Sequence, residues 1–503
     1  MLIESVIACI DLPPTTESPD PCRLARPEAV KYGLAILMFA LSLSGCERAP
    51  PPRLLGYEEL GELRVATRSD ALSYRIGTDG RESGFEHDLL LELGRYLGVP
   101  VKFSVLPSSL DSIYAVTHNN MHLAAAGLVR NERRQVIWSA PIREVEYVLV
   151  GRNLSRQLSS EKELANRRIG VRRGSVPAEA LDAIRNRIPS MRLTYPISGG
   201  EAELLERVAR GEIDLVATDR VNYNMASNFH PELSIAMPLK IKSEIAWALP
   251  HNASKRFVDE INAFIARIRS NGLLARLADL HFGHVERLDD DDVTALLQRI
   301  QTRLPRYKSY FMEAEQLTGI DWRLIASIAY QESQWDPLAT SYTGVRGMMM
   351  LTAETADRLR VSNRLDARES IKGGARYFSM LRDQLAREVP EPDRTWMAVA
   401  AYNLGMGHMN GARAIARRLG KDNTAWLPMK SVLPLMSRPA FAAQLKAGPA
   451  RGGEAVIMTE NVRNYFDIIS RFEPPHRSSL GLANVDSEPG LKLQGASTSS
   501  PPM

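Results

Sequence analysis

The chain has 503 residues, is 44% hydrophobic and is nearly balanced in charge, with 63 Lys and Arg against 59 Asp and Glu, a net +4 and a pI near 8.8. That length gives two or three domains with cores of their own, and so mild an excess, with no basic stripe interleaved with aromatics, argues against a nucleic-acid partner. The three cysteines, Cys9, Cys22 and Cys46, all lie in the first tenth of the chain. They leave neither a disulfide framework nor a zinc ligand set, and no metal or other cofactor is expected.

Gly33 to Leu43 is apolar but too short to span a bilayer. Preceded by Lys31 and followed by Leu43-Ser44-Gly45-Cys46, it reads as a signal peptide over residues 1–45. The LSGC resembles the lipobox of bacterial lipoproteins, and the resemblance implies acylation of Cys46 and a lipid-anchored protein. Glu47, where retention signals carry aspartate, implies sorting to the periplasmic face of the outer membrane. Met1 to Ala29 hold Pro13, Pro14 and five acids, which do not fit a signal n-region; translation is expected to begin nearer Val30. Residues 46–55, rich in proline and arginine, read as a tether.

From residue 56 to 284 strand and helix signals alternate. Leu63, Val65 and Thr67 alternate as a strand; Phe85 to Leu97 carries a helical stripe; Val101, Phe103 and Val105 form a second strand, and Leu123 to Leu128 a buried one. A second set runs through Arg168–Val171, Leu204–Val208 and Ile213–Thr218. The chain then returns at Ile245–Leu249 before a long helix from Ala253 to Leu274. The pattern predicts an α/β fold with mainly parallel strands. With GFEHDLL at Gly84–Leu90, G-L-V-x-N-E-R-R at Gly127–Arg134 and Asp219 after a buried strand, it resembles a two-lobed periplasmic solute-binding domain of the amino-acid-binding family. The resemblance implies that Arg134 and the helix-start hydroxyl of Ser175 hold a ligand carboxylate while Asp219 holds an amino group. A muropeptide or amino-acid-like ligand is implied, although Val129 stands where a polar residue is usual. A planar guanidinium suits that task because it bonds both carboxylate oxygens.

Asp289 to Asp292 offer an N-cap to a helix with Val293, Leu296, Leu297 and Ile300 on one face. No long Ser/Gly tract separates it from what precedes, so little freedom between domains is expected. Helical signals dominate residues 285–475: Tyr307–Leu317, Trp322–Gln334, Ala353–Arg358, Ile371–Ala386, Trp396–Asn403, Gly411–Leu419 and Glu460–Phe472. This is an all-α lobe. Residues 476–503, rich in Ser, Gly and Pro, read as a disordered tail.

Within that lobe Glu332 falls on the stripe of Ile325, Ile328 and Trp335, and Asp336-Pro337 is expected to close the helix one turn past it. A carboxyl flanked by apolar side chains loses solvation when charged, so its pKa is expected to rise from about 4.3 toward neutrality. A structural ion pair with Arg346 is the bland alternative. Glu332-Ser333, the following W-D-P, Gly344 and Gly347 before a Met run, and AYN at Ala401–Asn403 resemble the catalytic domain of soluble-type lytic transglycosylases, a goose-lysozyme-like fold. The resemblance implies cleavage of peptidoglycan glycan strands at the MurNAc-β-1,4-GlcNAc bond, with 1,6-anhydroMurNAc as product. It makes Glu332 the acid and base, and Ser341, Tyr402, Asn403 and Tyr465 substrate contacts. Met350 stands where the family carries a substrate-facing glutamine, and Asn461-Val462 where it carries Glu-Thr. The alternative function is a lipoprotein that binds cell wall without turning it over.

Overall fold

The protein is described here from a computed structural model, which defines residues 54–476 apart from 71, 78, 79, 119, 197–199, 286, 287, 342, 343, 447 and 449. Cys46 and the signal and tail regions lie outside these residues. Among the described residues no helix is long and apolar enough to cross a membrane.

The first part builds two lobes, each around a five-stranded sheet. Lobe 1 has β1 (Leu63–Arg68), β4 (Val101–Leu106), β5 (Leu123–Ala124), β6 (Val136–Trp138) and β12 (Ala248–Pro250) in the order β4-β1-β5-β12-β6, with a small hairpin of β2 (Arg75–Ile76) and β3 (Glu82–Ser83) at its side. Lobe 2 has β7 (Arg143–Arg152), β8 (Arg168–Gly170), β9 (Arg192–Thr194), β10 (Leu215–Asp219) and β11 (Leu233–Ile245) in the order β11-β7-β10-β8-β9. The expectation of mainly parallel strands is corrected: each sheet has two parallel and two antiparallel pairings. The reason is that the chain crosses between lobes twice. It leaves along β7 and returns along β11, and these two long strands pair antiparallel from Arg152/Leu233 to Arg143/Ile245.

Helices in this part are α1 (Tyr57–Leu60), α2 (Phe85–Leu97), α3 (Ser109–Thr117), α4 (Val176–Arg187), α5 (Glu201–Ala209), α6 (Arg220–Ser227), α7 (Lys255–Ser270) and α8 (Leu273–Phe282). The long helix expected from Ala253 to Leu274 is α7, which ends at Ser270 because Gly272 takes a left-handed φ of 78°; α8, not expected from the sequence, follows it. α2 matches its expected span, with Leu89, Leu90 and Leu93 fully buried in the lobe 1 core.

The second part is helical: α9 (Asp290–Thr302), α10 (Leu304–Thr318), α11 (Trp322–Ser333), α12 (Ala353–Leu359), α13 (Ala367–Gln384), α14 (Asp393–Leu404), α15 (Met406–Arg418), α16 (Trp426–Val432), α17 (Pro439–Ala442) and α18 (Gly452–Phe472). Asp289 caps α9 as expected, accepting from the Asp292 amide. α11 sits at the centre: Trp322 to Tyr330 are all buried, so this helix has no solvent face and is enclosed by its neighbours, α10 and α18 among them.

Candidate active site and ligand cleft

Glu332 occupies the last turn of α11. The helix ends at Ser333, before Asp336-Pro337 where closure was expected, because Gln334 and Trp335 both turn left-handed, at φ of 52° and 60°. Such a conformation costs a non-glycine residue about 1 kcal/mol or more. The Trp335 indole offsets it by burying fully and donating to Ala326 O at 2.8 Å. The carboxyl is thereby left at the rim of the core. Burial alone pushes its pKa up to about 8. Among the described residues no hydrogen bond or ion pair engages it; Arg346, the expected structural partner, is exposed and bonded through its backbone to Leu351. Nor does any second charged side chain shift it.

The loop after α11 is held against the helix by hydroxyls. Ser333 Oγ donates to Met348 O at 2.8 Å, Tyr402 Oη donates to Met349 O at 2.8 Å, and the Met349 amide donates to Ser370 Oγ at 3.2 Å. Arg364 clamps the same loop through Gly344 O and Leu351 O, each at 2.9 Å. Gly347 has no alternative here: at φ 83° an added Cβ would sit 1.7 Å from Arg364 O. Met348 and Met349 are fully buried, whereas Met350, left-handed at φ 46°, keeps part of its surface exposed. Ser341 shapes the loop's tip, its hydroxyl accepting from the Val345 amide at 3.3 Å.

Of the other expected contacts, Tyr402 lies close enough to Glu332 that, after burial, the carboxylate's charge is the next cause raising its phenol pKa. Asn403 follows it on the exposed side. Tyr465 packs against α11: its ring lies edge-on to Tyr330 at 4.8 Å, and Tyr330 packs against Trp335 at 4.9 Å. Ser333, Arg364 and Ser370 were not assigned site roles from the sequence; only the Glu-Ser doublet carried a signal for any of them.

The cleft between the lobes is crowded with charge. Asp219 lines it, its carboxylate bound to Arg143 Nη2 at 2.5 Å and to the Val221 amide at 2.7 Å. Burial raises the Asp219 pKa against the pull of Arg143. Ser175 caps α4, accepting from the Ala178 amide, and donates to Arg172 O at 2.7 Å. Arg134 lies beside Gly174 and is absent from the cleft's lining, where Arg68, Arg143 and Arg172 stand instead.

α18 ties the helical part to both lobes. Asn464 accepts from Asn228 Nδ2 of lobe 2 at 3.1 Å and donates to His284 O at 2.6 Å. Asp279 on α8, packed on the lobe 1 core, pairs with Lys430 at 2.7 Å and with buried Arg463 at 3.1 Å, while Glu460 closes the network on both cations. The short, cap-bound connection predicted from sequence is therefore reinforced by buried polar contacts.

Fold and site together define a class: an interlobe ligand-binding domain joined to a lysozyme-like helical domain in which Glu332, desolvated at a helix end, has no partner among the described residues. Comparison with known proteins agrees. Residues 63–284 match the bacterial extracellular solute-binding proteins, family 3, and residues 309–425 match the transglycosylase SLT domain. Membrane-bound lytic murein transglycosylase F of Thiobacillus denitrificans is 41% identical over 464 residues, covering 92% of this chain and 97% of that protein. The protein of the same name from Methylobacillus flagellatus is 41% identical over 461 residues, covering 90% and 98%. That of Pseudomonas putida is 37% identical over 482 residues, covering 95% and 99%. Among solved structures, an arginine-binding protein mutant from T. maritima matches with a TM-score of 0.41 and 18% identity, covering 45% of this chain and 97% of that one. The chain belongs to the membrane-bound lytic murein transglycosylase F family.

Proposed function

We infer that this protein is a lytic transglycosylase of peptidoglycan, associated with a membrane, whose solute-binding domain senses a ligand. The observation that carries the catalytic reading is the isolation of Glu332: desolvated, protonated near neutral pH, and without a second carboxylate at hand. A two-carboxylate glycosidase needs a charged partner to act as base or nucleophile. A single carboxyl suffices when the substrate supplies the nucleophile. Glu332 gives its proton to the glycosidic oxygen as that bond breaks, and then takes the proton of the muramic C6 hydroxyl as that oxygen bonds C1. The proton count closes, no water is consumed, and a 1,6-anhydro ring results. A carboxyl with a pKa near 8 serves both halves at neutral pH.

Ser341, Tyr402 and Asn403 are the proposed substrate contacts on the Glu332 side. Met350 offers an apolar surface in place of an amide, and Tyr465 acts through Tyr330. Cys46 carries the proposed lipid anchor, with the outer membrane as its destination. Regulation by the first domain is supported by the Asn228–Asn464 bond, which links α6, capped by Asp219 of the ligand cleft, to the helix packed on α11. Ligand binding biases the catalytic part only if it favours one arrangement of that interface.

Purified sacculi incubated with the protein and examined by mass spectrometry test the reading. Anhydro-muropeptides, one water lighter than lysozyme products and absent with Glu332→Gln, are expected. Hydrated products, or unchanged release by the variant, would overturn it.

A further inference from the structure

A cavity apart from both clefts opens where lobe 1 meets the helical part. α2 and α8 form one wall, and the starts of α14 and α16, with Arg463 of α18, form the other. It holds about 260 Å³ and shares no lining residue with the interlobe cleft. Small-molecule sites usually begin at about 300 Å³, so this one suits a single ring and not a chain. Trp396 fixes its place: it lies on α14, ~9 Å along the axis from Tyr402 at the helical rise of about 1.5 Å per residue. The cavity and the catalytic cleft therefore lie toward opposite ends of one helix.

Most of its charged groups already have partners. Arg463 pairs with Asp279 at 3.1 Å, Arg95 with Glu92, Asp88 sits between His87 and His281 at 2.8 and 2.7 Å, and Glu391 accepts from the Thr395 hydroxyl at 2.7 Å. Arg463 also lies over the Trp396 ring, with Cζ 5.5 Å from its centre, so that indole already carries a cation. What remains is bonding capacity without net charge. Asp393 is buried; its Oδ1 accepts from the Trp426 amide at 2.6 Å, and no described donor reaches Oδ2. Among the described residues no acceptor bonds the Arg276 guanidinium, which faces Asp393 from beyond ion-pair distance: burial raises the Asp393 pKa, and the Trp426 amide and then Arg276 pull it down. Trp396 Nε1 is enclosed and has no acceptor. Leu277, Leu280, Leu427 and the Trp426 indole add apolar surface.

We propose that this cavity is a second carbohydrate site, which takes one neutral N-acetylhexosamine ring through Arg276, Asp393 and Trp396 and so gives the protein a hold on wall glycan that does not involve Glu332. The acetamido carbonyl accepts from Arg276 and Trp396 Nε1, a ring hydroxyl donates to Asp393 Oδ2, and the acetamido methyl and the C–H face of the ring lie on the leucines and indoles. Each group of the sugar answers a group the protein leaves unmet. Ions fit less well: a carboxylate placed on Arg276 meets Asp393, and an ammonium placed on Asp393 meets Arg276. A small zwitterion satisfies that pair but leaves Trp396 Nε1 and the indole surface unanswered, which decides for the sugar.

Calorimetric titration of the full chain with N-acetylglucosamine, glucose, glucosamine and L-alanine tests the site without calling on turnover. The acetamido sugar is expected to bind, and glucose and glucosamine to bind more weakly by roughly fivefold or more. Arg276→Gln and Trp396→Phe should each weaken the acetamido sugar by roughly fivefold or more, while Asn403→Ala, in the catalytic cleft, should leave it within about twofold. Arg276→Gln should unfold at the parent's temperature, because its side chain bonds nothing, so affinity lost there is not lost folding. Binding that disappears with Asn403→Ala and survives Arg276→Gln belongs to the catalytic cleft and overturns the proposal. Equal binding of glucose or glucosamine, displacement of the sugar by L-alanine, or no binding at about 50 mM would do the same. Cosedimentation with sacculi, which needs no cleavage and so stands apart from the catalytic reading, should fall several-fold with Arg276→Gln; an unchanged bound fraction overturns the hold on wall glycan.

Discussion

The catalytic cleft and the interlobe cleft both place ionisable groups out of water, and they handle them in opposite ways. Around Glu332 there is one such group and no counter-charge, so desolvation is answered by keeping a proton. In the interlobe cleft cations and acids crowd together, and desolvation is answered by pairing, as in Arg143–Asp219 and Arg68–Asp70. The first arrangement makes a proton donor at neutral pH; the second makes a charged surface fit to recognise a ligand. Isolation serves chemistry and pairing serves recognition.

The widest separation between the two regions is expected from Glu332→Gln. Anhydro-muropeptide release should fall by about two to four orders of magnitude, the range for losing a general acid. The same variant should gain stability where the removal of Asp219 loses it. The Glu332 pKa is raised in the folded protein, so folding favours the protonated form: that contribution is fully present below the unfolded carboxyl pKa of about 4.3 and is lost as pH rises through about 8. Thermal unfolding should therefore show Glu332→Gln more stable than the parent by about 1–3 kcal/mol at pH 7.5, with the gap closing toward pH 4.5.

Asp219→Ala breaks a buried pair and removes the cap of α6 in one step, leaving Arg143 uncompensated. A loss of about 3 kcal/mol in chemical denaturation is expected; a loss below about 1 kcal/mol would show that water screens this cleft, against the contrast drawn here. Tyr402→Phe removes the bond to Met349 O and should cost about 1 kcal/mol, with slower release and a pH profile still governed by Glu332. The smallest effect belongs to Arg346→Ala, whose exposed side chain bonds nothing in the site. Its pH–rate profile should overlay the parent's, and a shift of the Glu332 limb would restore the ion pair that the geometry does not show.

Legibility followed the range of the forces involved. α2, the Asp289 cap and most helices of the second part could be read because apolar spacing and capping are local. The break at Gly272 was missed because a glycine within an apolar run is compatible with a continuous helix, and only the packing of α8 on α2 and α7 shows the turn. β7 and β11 were missed for a related reason: β11 pairs with β7, and β7 with β10, across distances in sequence that no local pattern reports. Tyr465 carried a motif, but only the packing of Tyr330 between it and Trp335 shows which side of α11 it supports.

The amino-acid sequence by itself determined the class of the protein. The order of its motifs, the stripe of Ile325, Ile328 and Trp335 that carries Glu332, and the alternating strands and helices before it are local patterns, and each survives without knowledge of the rest. Tertiary structure alone decided that Glu332 has no partner among the described residues and that Arg68, Arg143 and Arg172, not Arg134, line the cleft. Isolation and pairing depend on which distant segments close around a group, and on how much water they leave there.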